Sequence, residues 1–199
     1  MYIPQDQLRS CLEKVDEIAA YYMATYIGAD DPVRSIDNLK LACETYLNVR
    51  ITLFEGDTHR DETAVWGAFI KKPDGYDIVI SQGHNYCWRR FVTCKELFHV
   101  VLDKEEYRNM DIEAHVNEVT VTFPDHHSRP GVPVMAEMLA EISAMEFLFP
   151  YRRRQQALVG QHKDNFLAIA EMHKVPQVHV EKYLSPSYME ALLSCSKHD

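Results

Sequence analysis

The stretch FVTCKELFHVVLD, Phe91 to Asp103, decides how the rest of the chain is read. It reads as part of one long helix, and the segment Lys95-Glu96-Leu97-Phe98-His99 puts residues 95 and 99 one turn apart on the same face. Two histidines at that spacing hold a zinc ion, and a glutamate directly after the first is placed to act as general base toward the metal-bound water. Glu96 has the base's position and His99 that of the second imidazole, but a lysine stands where the first imidazole belongs. A protonated lysine has no lone pair to give a metal. Taken alone, the pentapeptide is better explained by a solvated Lys-Glu pair beside a half-buried histidine, so the reading turns on its surroundings.

Those surroundings are globular. The chain has 199 residues, 46% of them hydrophobic and 26% charged, which suits one domain with a real core and excludes a disordered or fibrous chain. A formal net charge of -9 argues against a chain-wide footprint for DNA or RNA, which needs an excess of Lys and Arg. The N-terminal MYIPQDQLRS lacks a basic region followed by an apolar core, and no apolar run reaches the roughly 18 residues of a membrane span. Five cysteines, an odd number without a C-x-x-C pair, fit a reducing compartment. The expectation is a cytoplasmic protein with no membrane partner and no nucleic-acid partner.

Outward from the opening stretch, periodicity divides the chain into six parts. Amphipathic helices occupy about 5–47, with Leu8, Leu12, Val15, Ile18, Ala19 and Tyr22 at helical spacing. NVRITLFEG, TAVWGAFIKK and YDIVISQG, at about 49–81, are short, β-branched or aromatic and punctuated by turns, so the spacing predicts a three-stranded antiparallel meander. A helix over about 86–104 carries the KELFH motif. The part 105–132 includes MDIEAHVNEVTVTF, ambiguous between helix and strand, and the loop PDHHSRPGVP. A second helix covers 133–149 and is stopped by Pro150. Residues 151–199 are helical, with breaks at Val175-Pro176 and Ser185-Pro186. No repeat or flexible linker divides the chain, and the expected fold is a single α+β domain.

Phe91, Glu96, Leu97 and His99 fall in register on the line R-x-F-T-x-A-H-E-L-G-H, and in EMLAEISAMEFLFP the residues Glu137, Ala140, Ala144, Leu148 and Pro150 match E-x-x-A-N-x-F-A-x-x-L-L-M-P. The pair of motifs resembles the ImmA/IrrE family of metallopeptidase-like domains. That resemblance implies a zincin-like domain in which Glu96 is the general base and His99 and Glu137 are metal ligands. It also implies a repressor-type protein partner in mobile-element (prophage) or stress regulation. Ala140 and Ala144 are small enough to let the second motif helix approach the first. Three departures from the pattern matter: Lys95 for the first histidine, Phe98 for the glycine before the second, and Glu141 for Asn or Asp.

Zinc's charge leaves acidic groups unneutralised when the metal is removed, and Lys95 supplies a cation in the same place. The expectation is a charge centre of Lys95, Glu137 and Glu141, with no cofactor, in a degenerate domain that binds a protein or peptide in a groove along the sheet edge. The alternative is an active zinc endopeptidase that cleaves a repressor-type protein with Glu96 as base. It would use His99, Glu137 and a substitute ligand: His126 or His127 from the loop, or a Lys95 deprotonated by burial. Glu113 is a rival for the third ligand. Three other features have plainer readings. Cys94 beside Lys95 is a small core residue before it is an activated thiol, YRRR at 151–154 is a solvated helix start, and the pair FLAIAEMHK and VHVEKYL has a helix-turn-helix look but offers only Lys182 against Glu181 beside His179.

Overall fold

The computed structural model describes residues 3–26, 33–56, 59–60, 63–64, 66–104 and 131–194. Among them are eight helices and a small three-stranded sheet. Helix α1, Gln5–Thr25, buries Leu8, Cys11, Leu12, Val15, Ile18 and Tyr22, a stripe set by three- and four-residue steps. Helix α2, Ile36–Leu47, starts where the Ser35 side chain accepts a hydrogen bond from the Asn38 backbone N–H at 3.2 Å, and ends at Asn48 in the left-handed conformation.

Strands β1, Arg50–Gly56, β4, Gly67–Lys72, and β5, Gly75–Ser81, form the sheet in the order β1-β5-β4. The expected antiparallel meander is corrected in one respect: β4 and β5 are an antiparallel hairpin, but β1 runs parallel to β5, with Arg50 opposite Gly75 and Gly56 opposite Ser81. The run TAVWGAFIKK is not one strand. Its first part, β3 at Thr63–Ala64, pairs with β2 at His59–Arg60, and only Gly67 onward joins the sheet. The reason is burial: β5 carries Tyr76, Ile78 and Ile80 into the core and takes the centre, where it needs a neighbour on each side. The chain leaves β1 and re-enters on the far side of β5. Alternation in the sequence fixes which residues face inward but not which strand lies beside which.

Helix α3, Tyr86–Val101, is capped by Asn85, whose side chain accepts from the Trp88 N–H at 3.1 Å. It packs on β4 and β5 and also meets α2 and α4, Val132–Leu148. Enclosed on so many sides, it buries every residue from Arg90 to Val100 except Lys95, which is half-buried. Ala140 and Ala144 of α4 are fully buried, and Cys94 Sγ lies 3.9 Å from the Ala144 carbonyl oxygen. Cys94 is thus core material, and burial pushes its thiol pKa well up, away from activation.

Pro150 ends α4 and opens α5, Tyr151–Val159. There follow α6, Phe166–His173, α7, Gln177–Tyr183, and α8, Pro186–Leu193, with Lys174 left-handed at the α6–α7 corner. Val175, Val180, Tyr183, Leu184, Met189 and Leu192 join the same core as α1 to α4, so the C-terminal helices cap one domain. Arg154 of the YRRR run is fully buried and ion-paired with Glu146, so that residue is structural and not part of a solvated helix start. No helix among the described residues is long and apolar enough to cross a membrane. Glu113, His126, His127 and the MDIEAHVNEVTVTF segment lie outside the described residues.

Candidate functional site

Helices α3 and α4 bring four of the five motif side chains together. Lys95 Nζ lies 2.6 Å from Glu137 Oε2 and 3.0 Å from Glu96 Oε1, and His99 Nε2 lies 3.0 Å from Glu137 Oε1. Glu137 therefore bridges, one oxygen to the lysine and one to the imidazole. Helical spacing accounts for the arrangement on α3, since residues 95 and 99 are one turn apart and 96 sits beside 95 on the inward side. Glu96 is 2% exposed and His99 7%, whereas Lys95 and Glu137 keep 16% and 27% of their side-chain surface. Burial alone would pull the Lys95 ammonium down, but Glu137 and Glu96 together reverse this and hold it above the ordinary lysine range. The lysine is a cation at any physiological pH.

Glu141 does not join this group. One turn further along α4, its Oε1 accepts from Lys182 Nζ at 2.5 Å and from the Tyr183 hydroxyl at 3.1 Å, and lies 3.8 Å from His179 Nδ1. The carboxylates that face Lys95 are Glu137 and Glu96, and Glu141, expected there beside Glu137, is engaged by Lys182 instead. The helix-turn-helix-like pair is turned inward by the same contacts: Lys182 reaches back to Glu141 and lies over the Tyr183 and Tyr188 rings, and His179 stacks on Phe91 with centroids 3.9 Å apart.

Strand β4 closes the other side of the centre. Phe69 stacks on the His99 ring, with centroids 5.6 Å apart and planes 19° from parallel. Gly67 lets the strand come close, because a Cβ there would stand 2.7 Å from Val92 Cγ1 and 2.9 Å from Glu96 Oε1. A small pocket of about 40 Å³ opens between Phe69, His99, Ala136, Glu137 and Asp103. Asp103 itself accepts a 2.7 Å hydrogen bond from the Tyr76 hydroxyl. Nothing in the sequence marks Gly67, Phe69 or Asp103, because their relation to the motif is made by strand order alone.

The resemblance implies zinc, and among the described residues the donors at this centre do not complete a zinc site. A tetrahedral site with a reactive water needs three protein ligands. His99 and Glu137 are two, and an ammonium fills the position of the third with its charge already directed at Glu137. Among the described residues no three or more His, Cys, Asp or Glu side chains are grouped as metal donors. The chain matches no protein-family model and no curated protein, so the ImmA/IrrE resemblance rests on the motif residues themselves.

Proposed function

We propose that the chain is a degenerate metallopeptidase-like domain of the ImmA/IrrE kind, which binds a protein or peptide partner, such as a repressor, and does not cleave it. The supporting observation is the Lys95 ammonium, 2.6 Å from Glu137 and 3.0 Å from Glu96, at the position where the peptidase motif has its first histidine. An ammonium in that place neutralises the acidic groups as zinc would, yet supplies neither a Lewis acid nor an activated water. Glu96 keeps the position of a base with nothing to deprotonate. What a peptidase cleft retains without its metal is a surface for extended chain. Strand β4 is at the sheet edge and, among the described residues, pairs only with β5, so a partner strand can add to it beside Phe69 and His99.

Zinc titration followed by calorimetry, on wild type and Lys95→His, tests the reading. Wild type should show no stoichiometric site at micromolar affinity, and the histidine variant should gain one. Micromolar zinc binding by wild type, together with cleavage of an unfolded protein substrate that chelator abolishes, would establish the endopeptidase alternative with Glu96 as base. The partner-binding half is tested by selecting random extended peptides on the intact protein. Binders should protect the amides of residues 67–72 from hydrogen exchange, and selected peptides that leave those amides unprotected would sink it.

A further inference from the structure

Strand β4 dictates which side chains of an added strand reach the Lys95 centre. The Ser81 N–H donates to the Trp66 carbonyl at 2.9 Å, one step before Gly67 pairs with Ile80. Antiparallel backbone groups alternate in direction, so Ala68, Ile70 and Lys72 turn theirs toward β5, and Gly67, Phe69 and Lys71 turn theirs to the free edge. The same three place their side chains on the α3 side, where Phe69 stacks on His99. A residue directly opposite Phe69 on an added strand therefore projects its side chain over α3 too, with its Cβ roughly 5 Å from that of Phe69.

That position meets the pocket beside His99. Phe69 lines it from β4 and no described residue of β5 does; the rest of its wall comes from the end of α3 and the first turns of α4, so it lies beyond the free edge of β4 and not under the middle of the sheet. Both carboxylates in the wall are engaged: Glu137 by Lys95 and His99, and Asp103 by the Tyr76 hydroxyl at 2.7 Å and Lys71 at 3.7 Å. An incoming ammonium would have to displace one of these partners, and an incoming carboxylate would meet two of its own kind. Phe69, Leu102, Ala136 and Leu139 supply apolar surface. The volume, about 40 Å³, is about three times the roughly 10–15 Å³ that a water molecule requires, which admits an isopropyl group but not a benzyl ring or a lysine stem.

We infer that this pocket selects the partner: the segment that binds as a strand on β4 carries a small apolar residue opposite Phe69, valine ahead of alanine. The inference rests on the strand-addition reading above and adds the side-chain rule to it. Backbone hydrogen bonds at Gly67, Phe69 and Lys71 give affinity whatever the sequence, and the pocket discriminates.

Random peptides of about seven residues, selected on the intact protein, supply the probes. Those that protect the amides of residues 67–72 from hydrogen exchange should share one position held by valine or alanine. One such peptide is resynthesised with valine, alanine, phenylalanine, lysine or aspartate there and titrated by calorimetry. Alanine should bind about fivefold or more weaker than valine, and the other three about tenfold or more weaker. Ala136→Val narrows the pocket and should reverse the order, with alanine tighter than valine; if that variant unfolds more easily than wild type, the peptide series on wild type decides. Peptides that protect 67–72 but share no such position, or that bind as well with phenylalanine, lysine or aspartate in it, overturn this inference and leave strand addition standing, as does an unchanged order in folded Ala136→Val. Failure of every selected peptide to protect those amides overturns both.

Discussion

The Lys95 ammonium lies against two carboxylates, and the one on Glu96 has almost no access to water. Replacing the lysine by methionine keeps the volume and strands both acids. Lys95→Met is expected to cost about 2–3 kcal/mol in urea unfolding at neutral pH, below the full value for a deeply buried pair because Glu137 is partly exposed. Adding Glu96→Gln and Glu137→Gln to that variant should restore most of the loss. A Lys95→Met protein as stable as wild type would mean that the three charges are not coupled. His179 supplies a second expectation at this scale. Burial lowers its pKa from 6.5 to about 4, Glu141 opposes the shift, and Lys182 and Lys95 add to it. Between those pH values the unfolded chain takes up a proton that folded His179 refuses, so stability falls as pH drops through the window. At about 1.4 kcal/mol per pH unit the loss approaches roughly 2–3 kcal/mol by pH 4. A His179→Phe variant, measured by chemical denaturation across the same range, should lose that much less than wild type.

At the scale of elements, the centre depends on how near β4 and α4 stand to α3. Gly67 has no room for a side chain, since Val92 and Glu96 already occupy the place of its Cβ. Gly67→Val is expected to push β4 off α3 and cost about 1–3 kcal/mol, read as a lowered urea midpoint. The contact between Phe69 and His99 should loosen with it, visible as a shift of the His99 ring resonances. On the opposite side, Glu141 fastens α7 to α4 through Lys182 and Tyr183. Glu141→Ala should cost about 1–3 kcal/mol and speed hydrogen exchange in residues 177–183, because it leaves the Tyr183 hydroxyl buried with a partner removed. Unchanged exchange there would show that packing of Tyr183 and Val180 holds α7 without the carboxylate.

Over the whole molecule, the main core among the described residues runs from α1 through the sheet and α3 to α8. The C-terminal helices are accordingly not an appendage that can be removed. A chain ending after Val175 loses the buried Val180, Tyr183, Leu184, Met189 and Leu192, and it is expected to lack a cooperative thermal transition in calorimetry. A sharp transition in that fragment would place α7 and α8 outside the folding unit.

The sequence by itself determined the α+β class, the boundaries of α3 and α4 to within a few residues, and that Lys95 and His99 share one face of α3. These follow from local rules: the helical period and the stop at Pro150. Tertiary structure alone decided that β1 runs parallel to β5, that β4 is the strand laid over Glu96 and His99, and that the second carboxylate at Lys95 is Glu96. It also decided that Glu141, one turn from Glu137, goes to Lys182 and Tyr183. Local periodicity says which way a side chain points from its own element. It does not say what stands opposite, because that is set by how the elements bury their apolar faces against each other.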